Sequence, residues 1–425
     1  MNTFRSLELH NYRLWFIGAL ISNVGTWMQR TAQDWLVYDI LTEQNASALG
    51  IVLALQLGPQ LVIAPWAGLI ADTVDRRRLL AVTQVAMALL GVGLGVMVLL
   101  DIAVLWHVYA FALALGIVSA FDAPARQAFV SELVREDYLP NAVALNSASF
   151  NGARLIGPAI AGLLTAGVGP GWVFIINALT FGAMVWVLVV MRTSELNEQP
   201  FSAPGKGRIR AGFRYVRRRP DIMMVLLAIF IVGTFGLNFA VYIAAMARTE
   251  FGQGAGAFGV LSSVMAVGSI AGALLSARRE RARLRFVFGA SAAFGLACIL
   301  AALAPTLWLF GLALVPVGLF ALTLMTSANA YVQTTTEPAM RGRVMSLYFA
   351  IFLGGTPLGA PVVGWVSDMF GPRWSLGVAA ASGLIAAGAG LFWAWKYHDA
   401  RLHFDRSAPR RLRLDLGTDP VDGAP

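Results

Sequence analysis

Apolar stretches long enough to cross a membrane recur along nearly the whole chain, separated by short polar or Gly- and Pro-containing breaks. A helix needs about 20 mostly apolar residues to span a bilayer. Membrane-spanning β-strands would be about ten residues long with alternating polarity, whereas these stretches are longer and apolar on all sides, so the sequence predicts an all-α membrane protein. The twelve predicted spans are residues 14–38, 48–71, 79–100, 105–125, 141–166, 172–191, 222–247, 257–277, 286–303, 307–330, 344–369 and 374–395.

The composition agrees with this class and argues against an enzyme. Hydrophobic residues make up 58% of the 425 residues and charged residues only 13%, whereas soluble domains carry roughly 25% charged residues. The only cysteine, Cys298, lies inside the ninth span, which excludes an intramolecular disulfide and a cysteine cluster for metal. The four histidines lie at span edges or in the tail. We therefore expect no metal site, no cofactor and no catalytic group.

The positive charge is concentrated in connections of one parity. The formal net charge is +9, and arginine-rich segments such as "DRRRLL", "GKGRIRAGFRYVRRRPD" and "ARRERARLRF" follow the second, sixth and eighth spans. The connections of the other parity contain only Arg248 and Arg373 as basic residues. Because basic loops stay on the cytoplasmic side, both termini are predicted to be cytoplasmic. Topology explains the charge, contact with anionic membrane lipids is a secondary role, and nucleic acid is not an expected partner.

A long polar stretch divides the chain into two groups of six spans. We predict a first bundle over residues 1–191, a cytoplasmic linker with an amphipathic basic helix over 192–221, a second bundle over 222–397 and a disordered tail over 398–425. The segment "LIGPAIAGLL" at 155–164 aligns with "PLGAPVVGWV" at 357–366, an offset of 202 residues. With six spans in each copy, the two halves form a parallel repeat, which is typical of secondary transporters.

One arginine stands within a stripe of small residues in the fifth span. Helical spacing places Arg154 on one face with Gly157, Pro158, Ala161 and Gly162. Asn151 and Ser147 extend this face toward the start of the span. Plain helix packing accounts for the glycines. A charge inside the membrane is expensive, so Arg154 either faces a hydrated cavity or a carboxylate, or extends to the nearer interface.

The first span carries a polar face that offers a partner for this arginine. Asn23, Thr26, Arg30, Gln33 and Asp34 lie along one side of the predicted helix. A carboxylate whose contact with a guanidinium changes with conformation can load and release a proton, which makes Asp34 the candidate proton carrier and Arg30 its partner. The alternative is that this helix reaches the far interface near Gln33, which would leave Arg30 and Asp34 at the lipid headgroups.

Other polar and aromatic residues are weaker candidates. Ionisable residues at span ends, among them Asp122, Arg126 and Asp368, are interpreted as topological or gating groups. The second half has no charge in the centre of any span and offers possible walls for an apolar ligand, with packing as the alternative for each. These wall candidates are Phe230, Phe235, Asn238, Phe239, Tyr242, Phe349 and Phe352.

The segment "GLIADTVDRRRLL" resembles the loop between helices two and three of the major facilitator superfamily, Gly-x-x-x-Asp-Arg-x-Gly-Arg-Lys/Arg. Gly68, Asp72, Arg76 and Arg77 are in register, whereas Thr73 and Asp75 depart from the pattern. The resemblance implies a charged latch at a helix end of the other half that holds the outward-facing state. A loop that only sets topology would carry the same charges.

The segment "GARLIGPAIAG" is similar to the fifth-helix motif of proton-driven antiporters in the same superfamily. Gly152, Gly157, Pro158 and Gly162 match it, and Ala161 replaces a glycine. The longer run over residues 121–162 resembles the branch that contains siderophore exporters and macrolide efflux proteins.

This resemblance implies a transporter of twelve helices in the inner membrane of a bacterium, and we expect it to be monomeric. It would export a small amphipathic organic molecule, such as a siderophore, a macrolide or a drug-like compound, in exchange for protons by alternating access. The alternatives are uptake, facilitated or lysolipid transport on the same fold, and a membrane receptor or assembly factor that does not transport. The expected partners are the substrate, protons and membrane lipids.

Overall fold

The computed structural model describes residues 4–197, 208–277, 279, 283–398, 401–404 and 412–415. Its first half contains six long helices, and a single turn, Arg5–Glu8, precedes them. They are α1 (His10–Trp35, continued by the π-helical turn Leu36–Leu41), α2 (Ala46–Thr73), α3 (Arg76–Leu99), α4 (Leu105–Leu133), α5 (Leu139–Val168) and α6 (Pro170–Val190). After the short turn Thr193–Glu195, the linker helix α7 (Arg208–Arg217) leads into the second half, and residues 198–207 lie outside the described residues.

The second half repeats the arrangement with one interruption. The seventh span, predicted as one continuous helix over 222–247, is broken into α8 (Pro220–Ile231) and α9 (Phe239–Ala245), each followed by a π-helical turn, Val232–Gly236 and Met246–Glu250. Glycines at the break weaken the helix, and α13 packs closely here, since a Cβ atom on Gly355 would lie 2.8 Å from the backbone nitrogen of Thr234. The remaining helices are α10 (Ala255–Ala277), α11 (Leu284–Ala302), α12 (Leu307–Thr335), α13 (Pro338–Phe370) and α14 (Pro372–His398).

The prediction of twelve membrane-crossing segments is confirmed. Ten helices of the described chain have the length and hydropathy of a membrane span. The other two, α1 with 26 residues and α5 with 30 residues, are long enough but carry the polar faces described above. Helix starts follow local chemistry, because Asn45 and Asp75 accept hydrogen bonds from the backbone N–H groups of Ala48 and Arg78 in the first turns of α2 and α3.

The parallel repeat is visible at equivalent turns of the two halves. Gly169 and Gly371, 202 residues apart, both adopt a positive φ (87° and 99°) and are followed by the proline that begins α6 or α14. Glycine adopts this backbone conformation without strain. Four exposed tryptophans repeat at the same spacing near the starts of α4, α6, α12 and α14, which is typical of an interfacial aromatic belt. They are Trp106, Trp172, Trp308 and Trp374.

Two segments of the predicted tail lie within the described residues. Two short strands, Arg401–Phe404 and Leu412–Asp415, pair in antiparallel register, with Arg401 opposite Asp415. The segment "RLHF" alternates polar and apolar residues, a pattern of period two that favours a strand.

Candidate functional site

The two ends of the helical bundle differ in how the halves meet. We call the end at which α1 begins and α2 ends the basic face, because the arginine-rich connections lie there. The other end, at which α1 ends and α2 begins, is the opposite face. The first half means α1 to α6, and the second half means α8 to α14.

On the opposite face, polar side chains of the first half bind the turn that follows α9. Arg248 donates a hydrogen bond from Nε to Oδ1 of Asp39 over 2.5 Å. The hydroxyl groups of Tyr38 and Thr249 share a hydrogen bond of 2.6 Å, and Thr249 also donates to Oε1 of Gln44 over 2.8 Å. Sequence analysis did not select these residues. The signal that could have found them is Arg248, one of two basic residues in the connections of this face.

A carboxylate of the second half caps a helix of the first half. Asp368, near the end of α13, accepts hydrogen bonds from the backbone N–H groups of Ala46 (2.7 Å) and Ser47 (2.8 Å) and from the Ser47 hydroxyl (2.5 Å). These N–H groups lie in the first turn of α2, where the helix supplies no backbone acceptor and carries partial positive charge. Asp368 therefore joins the halves, as a gating group would.

Close backbone approach continues this interface toward the middle of the bundle. In the contact of α2 with α13, a Cβ atom on Gly50 would lie 2.4 Å from the carbonyl oxygen of Ala360. In the contact of α5 with α10, a Cβ atom on Gly259 would lie 2.3 Å from the carbonyl oxygen of Pro158. These distances are too short for any residue larger than glycine without movement of a helix.

The glycines of the fifth-helix motif hold α5 against two partners. A Cβ atom on Gly157 would lie 2.6 Å from Cβ of Trp27 in α1, and one on Gly162 would lie 2.7 Å from the carbonyl oxygen of Ala255 in α10. Pro158 and Ala161 are buried between these contacts. In contrast, no atom of a neighbouring described element lies within 4 Å of a Cβ atom on Gly152. Helix packing thus accounts for four of the five motif positions.

The side chain of Arg154 links the two halves in the middle of the bundle. Its Nη2 donates a hydrogen bond to the hydroxyl of Ser269 in α10 over 2.9 Å. Ser269 is buried, whereas Arg154 is only partly buried. No carboxylate among the described residues pairs with this guanidinium within 4.0 Å.

Asp34 and Arg30 lie near each other inside the bundle without forming an ion pair. Asp34 is 7% exposed, and in the described part of the chain no arginine nitrogen lies within 4.0 Å of its carboxylate. The guanidinium carbon of Arg30 lies 5.4 Å from the centre of the Trp27 ring. Nε of Arg30 and Nε2 of Gln33 are enclosed and have no described acceptor. Two unused donors therefore accompany a buried carboxylate.

The two predicted cavity asparagines are placed differently. Asn23 donates from Nδ2 to the hydroxyl of Ser149 over 3.4 Å and so links α1 to α5. Asn151 donates to the backbone carbonyl of Ser147 over 2.9 Å and stays on its own helix. Only Asn23 joins the elements that carry Arg30 and Arg154.

The predicted latch residues bind helices of the first half. Arg76 donates to Oε1 of Glu132 at the end of α4 over 2.5 Å. Arg77 donates from Nε to the carbonyl oxygen of Leu188 over 2.6 Å, at the C-terminal end of α6, where the helix dipole favours a cation. In this conformation the helix end that Arg77 binds lies in the same half, and the latch of the outward-facing state stays a prediction. The side chain of Asp72 lies outside the described residues, and no described neighbour lies within 4 Å of a Cβ atom on Gly68.

Asp122 and Arg126, predicted as gating groups, belong to a buried network within the first half. Asp122 accepts hydrogen bonds from Thr83 and Gln84 of α3, each over 2.8 Å, and from Nε of Arg126 over 3.1 Å. The Arg126 guanidinium carbon also lies 5.7 Å from the centre of the Trp15 ring. This carboxylate has all its described partners on α3 and α4, so the network stabilises one bundle rather than the contact between bundles.

The predicted aromatic wall does not form one surface. Phe230 and Phe349 are exposed, whereas Tyr242 is buried and donates a hydrogen bond to the carbonyl oxygen of Phe235 across the helix break. Asn238 is buried and donates to the carbonyl oxygen of Thr234. Phe235, Phe239 and Phe352 pack against the core. Within the described residues, no group of three or more His, Cys, Asp or Glu side chains could hold a metal ion.

The comparisons with known proteins agree with the predicted branch. The chain is 25% identical over 362 residues to the staphyloferrin A transporter of Staphylococcus aureus, which covers 84% of this chain and 90% of that protein. It is 28% identical over 352 residues to the enterobactin exporter EntS of Shigella flexneri, which covers 81% and 80%. Both relatives are siderophore transporters, so the prediction that the chain is not an enzyme is confirmed. The membrane-crossing helices and these relatives identify a multi-pass protein of the bacterial inner membrane.

A solved structure gives the same fold. A bacterial homologue of the human lysosomal transporter Spinster, in an inward-facing and unoccupied conformation, matches with a TM-score of 0.72 over 94% of this chain and 99% of that chain, at 16% identity. Residues 1–417 match the family described as "Transmembrane secretion effector". The chain therefore belongs to this family of major facilitator superfamily transporters, as the sequence motifs predict.

Proposed function

We propose that this transporter exports a small amphipathic organic molecule, of the siderophore class, in exchange for protons. The observation that carries the proposal is the carboxylate of Asp34, which is buried near the end of α1 and has no ion pair among the described residues, while Arg30 lies one helical turn away. A carboxylate in this setting can gain or lose a proton as its surroundings change with conformation. The named substrates of the two relatives, staphyloferrin A and enterobactin, support the siderophore class.

The predicted orientation is compatible with export. If the basic face is cytoplasmic, the bonds between the halves close the periplasmic side, and a ligand reaches the centre from the cytoplasm. We propose that the ligand binds near Trp27, where Nε of Arg30 and Nε2 of Gln33 are enclosed in this conformation and have no described acceptor. An aromatic ring beside hydrogen-bond donors suits a ligand that has both apolar surface and oxygen acceptors.

A transport cycle then couples the inward movement of protons to the outward movement of the ligand. Protonation of Asp34 from the periplasm removes the cost of enclosing a charged carboxylate, and the periplasmic side closes. Opening toward the cytoplasm releases the proton and admits the ligand, and the loaded protein opens outward. The membrane potential contributes about 2.3 kcal/mol per proton per 100 mV.

The test is ligand-dependent proton movement in proteoliposomes, with staphyloferrin A, enterobactin, a macrolide and a dye as probes. We expect a probe to drive proton flux in the parent protein and at least tenfold less flux in Asp34→Asn. The control is Asp101→Asn, at an exposed turn with a φ of 56° that asparagine tolerates. Ligand flux without proton flux would contradict antiport, inward flux of the ligand would assign uptake, and no flux of any probe would favour a receptor.

A further inference from the structure

We propose that the exposed face of α7 binds anionic phospholipids of the leaflet at the basic face. We call this face the α7 surface. It consists of Phe213, Arg214, Arg217 and Arg218, the last directly after the helix end. The inference concerns a site outside the substrate pathway, so it does not rest on the proposed function.

The buried side of α7 fixes this helix to the second half. A Cβ atom on Gly212 would lie 3.0 Å from the carbonyl oxygen of Arg343 in α13, and Val216 is buried. The hydroxyl of Tyr215 accepts a hydrogen bond of 3.3 Å from the backbone N–H of Glu337, at the start of α13. The α7 surface therefore has a defined orientation, facing away from α13.

A second group of bonds holds the junction between α7 and α8. Arg219 donates from Nε and Nη2 to the two carboxylate oxygens of Asp221, over 2.9 Å and 2.7 Å, and these bonds raise the pKa of Arg219 above its ordinary value. Arg219 also donates to the carbonyl oxygen of Thr335 over 3.1 Å, and Tyr331 donates to Asp221 over 2.9 Å. The helix is thus tied to α8 and α12 as well as to α13.

The depth of α7 follows from its contact with α13. The exposed Trp365 lies near the opposite face, one turn before the capping residue Asp368. From Trp365 to Arg343 the helix rises about 33 Å at 1.5 Å per residue. The hydrocarbon core of a bilayer is about 30 Å thick, and about 40–45 Å with the headgroups. The contact of Gly212 with Arg343 therefore places α7 in the headgroup layer.

The chemistry of the α7 surface fits a phospholipid rather than bulk water. Phe213 is 61% exposed beside three exposed arginines, and within the described residues none of these arginines pairs with a carboxylate. An aromatic ring in the headgroup layer can contact acyl chains while the guanidinium groups bind phosphate oxygens. Exposed apolar residues of α8 continue the surface into the membrane. They are Met223, Leu227 and Phe230.

The experiment is lipid titration of the full-length protein in detergent, followed by native mass spectrometry. Dioleoyl phosphatidylglycerol is the anionic probe, and dioleoyl phosphatidylcholine is the neutral one. The test variant is Arg214→Gln/Arg217→Gln/Arg218→Gln. The matched control, Arg13→Gln/Arg78→Gln/Arg135→Gln, removes three exposed arginines from the first half on the same face and so changes the net charge equally.

Each arginine near an anionic surface gives roughly a fivefold gain in binding. We expect the test variant to bind phosphatidylglycerol about 10- to 100-fold more weakly, and the control to stay within about threefold. Replacing the same three residues by lysine keeps the charge and should restore most of the affinity. Equal losses in test and control variants, an unchanged affinity in the test variant, or equal losses for both lipids would each overturn the proposal.

Discussion

The two faces of the transporter use their charged residues in different ways. On the opposite face, Asp39 and Asp368 bind residues of the other half. On the basic face, Arg76 and Arg77 bind helices of their own half. Between pairs of described residues, no hydrogen bond or ion pair joins the halves on the basic-face side of the contact of Arg154 with Ser269. The described hydrogen bonds and ion pairs between the halves therefore lie at the opposite face and in the middle of the bundle.

This difference shows that the number of charged residues on a face does not determine whether the two halves bind each other there. The basic face has most of the arginines, yet its ion pairs stabilise each bundle separately. The opposite face has few charges. Asp39, Arg248 and Asp368 lie where the halves meet, whereas Arg373 pairs with Glu250 inside the second half. A conformational change that opens the opposite face has to break the hydrogen bonds of Asp39 and Asp368 and separate the close-packed glycines. It can leave the ion pairs of the basic face intact.

The largest expected effect comes from widening the small-residue contact. In Gly50→Ala the new methyl group would lie 2.4 Å from the carbonyl oxygen of Ala360, which forces α2 away from α13. Overpacking of this kind costs about 1–3 kcal/mol. We expect the closed opposite face to lose population and transport to fall about tenfold. Spin labels at Glu43→Cys and Gln253→Cys, both exposed on this face, should report a longer distance.

The matched control for this prediction is Gly58→Ala on the same helix. A Cβ atom there lies 4.0 Å from Pro357, so the methyl group fits without movement. Its spin-label distance and transport rate should stay close to those of the parent protein. If Gly50→Ala and Gly58→Ala behave alike, close packing is not what holds the opposite face together.

A smaller effect is expected from removing the cap that α13 places on α2. Asp368→Ala takes away three hydrogen-bond acceptor contacts and the charge at the helix start, and loss of a helix cap costs about 0.5–2 kcal/mol. Asp368→Asn keeps an acceptor and should retain part of the effect. The same pair of spin labels measures both variants. A longer distance in Asp368→Asn than in Asp368→Ala would argue against capping.

The ion pair of Asp39 with Arg248 should contribute less. It is partly exposed, and such pairs contribute about 0.2–1 kcal/mol. We expect Asp39→Asn and Arg248→Gln each to open the opposite face slightly, and the double variant to add little to either one. A double-mutant cycle on the spin-label populations checks this, and strictly additive effects would show that the two side chains do not act as a pair.

The smallest change in the spin-label distance across the opposite face is expected from a substitution on the basic face. Arg77→Gln loses the bond to the carbonyl oxygen of Leu188 within the first half, at a cost of about 1 kcal/mol in stability. The thermal unfolding temperature should fall while the spin-label distance stays the same. A changed distance would mean that Arg77 takes part in contact between the halves.

Much of the fold could be predicted from the sequence because the bilayer imposes strict local rules. Span length is a property of one short segment, and the repeat offset of 202 residues comes from the comparison of two such segments. The helix break after Ile231 was not predicted, since the run is mostly apolar and the close packing of α13 against Thr234 is a tertiary contact.

The candidate site was only partly predictable. The sequence singled out Asp34, Arg30 and Arg154 because charges in apolar segments are conspicuous. It could not show that Arg154 reaches Ser269, 115 residues away, or that Asp368 meets the start of α2. Those contacts depend on how the two halves dock, and the sequence periodicity of one helix does not indicate which helix packs against it.

The repeated tryptophans have a mechanical consequence for the surrounding membrane. Trp106 and Trp172 of the first half have counterparts in Trp308 and Trp374, each 202 residues later and each near a helix start. Both bundles are therefore held at the same height in the bilayer. One bundle can tilt against the other without either rising or sinking, so the lipids around them need not stretch or compress to match a new hydrophobic thickness.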